Sequence, residues 1–173
     1  MKVASAYAAN GFAKAYATNA TDTSFAARPD TTTEPTGDGV ITLVGGERVG
    51  AWVTSVVFFG TGDANDVFDA IVYGIRRVGA SWTHVPLIAV TVTLGAKTGV
   101  AGGGVVATEL YADTIVVGSP SYGVADSSYR IVSPTGDSVA RLLLDTEGFE
   151  KLRVDFDATT GSPTGMNALV AVA

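Results

Sequence analysis

The stretch Lys151-Leu152-Arg153-Val154-Asp155-Phe156-Asp157 alternates without a fault between charged and apolar side chains. A period of two puts Leu152, Val154 and Phe156 on one side of an extended chain and the four charged residues on the other, which is the pattern of a half-buried β-strand. The charged side is expected to face solvent, with Lys151 and Arg153 balancing Asp155 and Asp157. Val90-Thr91-Val92-Thr93-Leu94 alternates in the same way.

Working outward, further runs of β-branched and aromatic residues occupy 40–44, 52–59, 67–78, 115–117, 129–132, 139–144 and 169–172. Turn chemistry separates them: Gly45-Gly46, Gly60-Thr61-Gly62-Asp63, Gly102-Gly103-Gly104, Ser119-Pro120, Ser133-Pro134-Thr135-Gly136-Asp137 and Gly161-Ser162-Pro163. About nine short strands at 8–15-residue intervals, with no amphipathic helical stretch after Val40, predict an antiparallel β-sandwich or jelly-roll-like domain rather than a βαβ fold.

Residues 1–39 read differently. They contain no Leu or Ile, and their larger apolar side chains are mainly the aromatics Tyr7, Phe12, Tyr16 and Phe25. Asn10-Gly11 interrupts the alanine run, and the aromatic spacing keeps no single helical face. Pro29 to Gly39 is rich in Thr, Pro, Gly and Asp, which marks a loop or linker. The expected partition is an extended N-terminal arm and linker at 1–39 and one β-sandwich domain at 40–173. The arm cannot bury a core of its own, so Tyr7, Phe12, Tyr16 and Phe25 are expected either to pack on the sandwich or to anchor the arm in a neighbouring subunit. On the second reading, deleting residues 1–27 leaves a folded core that no longer assembles.

The chain has 173 residues, of which 47% are hydrophobic and 16% charged, a balance that excludes a disordered chain. Eleven Lys and Arg face 17 Asp and Glu, giving a net charge of −6. Nucleic-acid binding neutralises phosphates with clustered bases, and the one adjacent basic pair is Arg76-Arg77, so a nucleic-acid partner is not expected. Anionic membrane surfaces are disfavoured for the same reason, and the apolar run at 85–94 is too short for a membrane span. The absence of cysteine excludes disulfides, thiolate nucleophiles and Cys-ligated metals.

Candidate chemistry is sparse. The single histidine, His84, has no Gly-x-Ser-x-Gly nucleophile elbow to serve and no second His or Cys with which to hold a metal. Asp155 with Asp157, and Asp145 with Glu147, are carboxylate pairs whose settings read as a charged strand face and a turn. Gly60 to Asp66 offers Asp63, Asn65 and Asp66 as hard oxygen ligands for calcium, but it lacks the EF-hand register, and Gly, Asp and Asn are what a hairpin turn calls for, which is the favoured reading. Gly99 to Gly104 leads into a strand, not into the helix a phosphate-cradling loop needs. No cofactor is expected, and the chain reads as a non-enzyme. Trp52, Trp82, Tyr111, Tyr122 and Tyr129 are the candidate platforms for an alternative carbohydrate-binding role.

The segment from Ser133-Pro134-Thr135-Gly136-Asp137 through Val139-Ala140-Arg141-Leu142-Leu143-Leu144 to Asp155-Phe156 resembles small virion proteins of tailed bacteriophages. So does the ending, where a Gly/Ser/Pro/Thr loop precedes Asn167-Ala168-Leu169-Val170-Ala171-Val172. The resemblance covers roughly the last 40 residues and is one of texture. It implies a capsid decoration (cement) protein, or a tail or head-fibre component: a β-sandwich or jelly roll, typically a homotrimer, seated on the outer capsid surface and bridging major capsid protein subunits. It carries no binding residues over to this sequence.

Overall fold

The structure is a computed structural model that describes residues 13–16, 30–36, 40–43, 53–101, 104–117, 129–132, 140–161 and 163–172. These residues form ten strands and no helix: β1 (Ala13–Tyr16), β2 (Val40–Thr42), β3 (Val53–Thr61), β4 (Val67–Val78), β5 (Ser81–Ala101), β6 (Gly104–Val117), β7 (Tyr129–Val132), β8 (Arg141–Asp145), β9 (Lys151–Thr160) and β10 (Thr164–Val172). Every pairing between them is antiparallel. The all-β expectation holds.

The strands run in the order β1-β10-β3-β6-β5-β4-β9-β2, with β7 and β8 as a branch. The branch point is β3. One side pairs with β10, while the other pairs with β8 at Val53 to Val57 and with β6 at Phe59 to Thr61. A strand shared in this way makes a corner between two layers. The sheet curls on itself, bringing β1 alongside β2. The fold is all-β and sandwich-like, with β3 shared between its layers.

The core fills the concave side. Val56 and Phe58 of β3, Phe68, Ala70 and Val72 of β4, Val90 and Val92 of β5, Leu142 and Leu144 of β8, Leu152, Val154 and Phe156 of β9, and Met166 and Ala168 of β10 form one buried cluster. Alternation drives this, since every second residue of each strand meets its counterparts from the facing layer. Phe68 and Phe156 meet edge to face at 5.7 Å between ring centroids, a favoured aromatic geometry.

β4 explains why residues 67–78 are apolar on both parities. Flanked by β5 and β9, it is buried continuously from Phe68 to Ile75. Ile71 and Tyr73, with Ala89 of β5, form a second small cluster on the convex side. Burial on both faces gives a continuous hydrophobic run in place of alternation.

Pro86 does not break β5. Val72 pairs with Ile88 and Tyr73 with Pro86, leaving Leu87 as an extra residue in a bulge. Proline has no N–H to give a ladder, and a bulge is where a strand tolerates it.

One expectation is corrected. The charged face of β9 is not solvated: Lys151 is 5% exposed and Asp155 9%. Arg153 Nε lies 2.8 Å from Asp155 Oδ1, so the face is charge-balanced as the sequence implies, but it is covered. Part of the cover is the segment 30–36. Thr31 exchanges both backbone hydrogen bonds with Trp82, and Lys151 Nζ donates to the Pro35 carbonyl at 2.8 Å.

Candidate interaction surfaces

The first surface is the tip of the β4–β5 hairpin. Val78 pairs with Ser81, so Gly79 and Ala80 are a two-residue turn. Gly79 has φ +62°, which suits the first position of a type II′ turn, and a glycine adopts it without steric cost. From Arg76 to Ala80 every residue is exposed. Neighbouring strand residues point to opposite faces, so Arg76 and Arg77 flank the tip on its two sides.

Phe149 holds one of them. Its ring lies over Gly74, and the Arg76 guanidinium stands 5.9 Å from the ring centroid. On the other side Glu150 is committed to the backbone, its Oε1 accepting from the Arg77 N–H at 3.1 Å. Among the described residues no carboxylate forms an ion pair with either guanidinium. Val78, 54% exposed, sits between these charges and the turn.

The second surface lies level with the opposite end of β4. Val116 of β6 is 55% exposed and pairs with Thr91, which in turn pairs with Asp69 of β4. Asp113 and Thr114 are exposed beside it. Thr91 Oγ1 donates to Asp69 Oδ1 at 2.6 Å, and Asp69 stands opposite Asp157 of β9. The β3–β4 turn adds exposed Asp63. This end is therefore acidic. Beyond Tyr111, no strand among the described residues pairs with β6 on the side away from β5.

A third feature is the clamp on the segment 30–36. Lys151 Nζ makes an ion pair with Glu34 at 2.6 Å and lies 5.5 Å from the centroid of the Trp82 ring. Trp82 is consequently buried at 8% exposure and is no open platform for a sugar. Tyr111 is half-buried, edge-on to Phe59.

The remaining candidates fall as follows. Tyr16 lies in β1 opposite Asn167 of β10, which lays this part of the arm along the chain's own sheet. Tyr7, Phe12 and Phe25 lie outside the described residues, as do Trp52 and Tyr122. His84 is half-buried opposite Ile75 and meets the Tyr73 ring edge-on at 6.3 Å. Asp145 Oδ1 accepts from the Glu147 N–H at 3.0 Å, closing the turn before β9. Asp66 Oδ2 accepts from the Asp63 N–H at 3.0 Å and lies against Gly62. Among the described residues no three His, Asp or Glu side chains are grouped to hold a metal ion.

No family model matches this chain, and neither does any curated protein or solved structure.

The adjacent arginines were visible in the sequence, but their significance was not. Gly79-Ala80 is a weak turn signal, and only the register of β4 with β5 puts the pair at an exposed tip.

Proposed function

We propose that the chain is a non-catalytic virion structural protein, a capsid decoration protein that seats on the outer surface of a shell and bridges major capsid protein subunits. The observation that carries this reading is the pairing of exposed apolar residues with charged side chains that form no ion pair among the described residues. Val78 stands between two guanidiniums and the open turn, and Val116 stands beside Asp113. Apolar contact ringed by charge is the chemistry of a protein–protein patch, in which arginine is favoured.

The sandwich-like fold supports the reading by holding the exposed Val78 and Val116 apart on one sheet. The resemblance of the C-terminal segment to phage virion proteins supports it independently of those surfaces. A homotrimer is part of the proposal, and stabilisation then follows from mass action, because a clamp that binds only the assembled shell shifts the equilibrium toward it.

The test is direct. Purified protein is mixed with empty shells assembled from the major capsid protein encoded alongside it, and the mixture is sedimented. Saturable co-sedimentation with a raised shell melting temperature is expected. Protein that stays in the supernatant at all ratios overturns the reading.

A further inference from the structure

The tip and the acidic end are complementary, and they cannot meet within one molecule. Val116 is level with Asp69 across β5, while Val78 lies nine residues further along β4. At about 3.3 Å per residue the two patches are roughly 30 Å apart. One carries Arg76 and Arg77 around an exposed valine; the other carries Asp113 and Asp63 with an exposed valine. Arg141 of β8 is exposed near the acidic end and makes no ion pair with Asp113 among the described residues.

We infer that copies of this chain associate head to tail, the Arg76-Arg77-Val78 tip of one copy seated on the Asp113 and Val116 end of the next. This inference rests on the self-assembly part of the proposed function and supplies its interface. A cyclic trimer needs it, because a three-fold ring joins two different patches on each subunit, whereas a two-fold dimer joins one patch to itself. Opposite charge around an apolar contact gives steering and register. It also accounts for an adjacent arginine pair whose guanidiniums form no ion pair among the described residues, on a chain of net charge −6.

The experiment is sedimentation velocity on the full chain at ionic strengths of about 0.01 M and 1 M, where the Debye length changes from about 30 Å to 3 Å. The wild type is expected to associate at low salt, with affinity falling at high salt. The double variant R76E/R77E and the double variant D63K/D113K are each expected to lose at least about tenfold in association, the scale of one removed charge contact. Mixed together they are expected to bind each other, since each tip then faces an end of opposite charge. Two variants cannot alternate around a ring of three, so the recovered species are mixed pairs and even-numbered assemblies, not closed trimers. Circular dichroism and melting temperature check that both variants remain folded.

Recovery on mixing, absent from either variant alone, identifies the head-to-tail contact. If the wild type associates and both variants associate equally well, the interface lies elsewhere and this inference fails while self-assembly stands. If the wild type is monomeric at low salt, the inference fails, and the shell-binding test alone decides the proposed function. Should V78D and V116D leave association untouched in an otherwise responsive protein, the apolar half of the contact is refuted.

Discussion

Phe149 lies across Gly74 so closely that a Cβ on residue 74 would stand 2.5 Å from the ring. A glycine inside a strand costs stability by itself, and here it makes room for an aromatic cover. The ring in turn carries Arg76. Local sequence, core packing and the exposed tip are thus connected through one small residue.

Gly74→Ala is therefore expected to displace the ring and destabilise the fold by about 1–3 kcal/mol, the usual range for overpacking. Phe149→Ala also destabilises. The double variant should lose less than the sum of the two, because the clash disappears with the ring. Urea denaturation of the four proteins measures this coupling, and strict additivity would refute the contact.

Gly161 and Gly79 make a controlled pair. Both have positive φ, at +78° and +62°. The space around them differs: a Cβ at 161 would collide with the Asp66 carboxylate, while nothing lies within 4 Å of one at 79. Gly79→Ala should cost about 1–2 kcal/mol, the left-handed backbone penalty alone. Gly161→Ala should cost clearly more, since Asp66 must also move and release the Asp63 N–H. Equal losses in chemical denaturation would show that Asp66 yields freely.

Lys151 and Glu34 form an ion pair that is unequal in its surroundings, the side chains being 6% and 58% exposed. Glu34→Gln should cost under about 1 kcal/mol, as exposed carboxylates generally do. Lys151→Met keeps most of the apolar stem but leaves the Pro35 carbonyl without its donor, so about 1–2 kcal/mol is expected from the lost hydrogen bond to a charged group. Thermal melts of the two variants separate the roles. A larger effect from Glu34 would overturn this assignment.

Millimolar calcium is expected to leave the melting temperature unchanged. Asp66 of the β3–β4 turn is spent on the Asp63 backbone N–H, and Asp63 itself is exposed. Asn65 takes φ +76°, the left-handed conformation asparagine tolerates in a turn. These residues work as a turn. A calcium-dependent rise in melting temperature would restore the ligand reading.

The sequence by itself determined the class of structure. Period-two alternation at 151–157 and 90–94 identified strands, because a side chain's face depends only on its parity along an extended chain. Glycine and aspartate at 60–63 marked a turn because few other residues suit such backbone geometry. Tertiary structure decided the rest. The alternation in β9 told which face met the core but not that the other face would also be buried, since Lys151 carries no mark of the segment 30–36 that packs against it. Only the register with β4 shows that Pro86 sits at a bulge inside β5. The division of β3 between β8 and β6, and the separation of Arg76-Arg77 from Asp113, arise from pairings between residues far apart in the chain. Such pairings are fixed by packing across the whole sheet, and no local window contains that information.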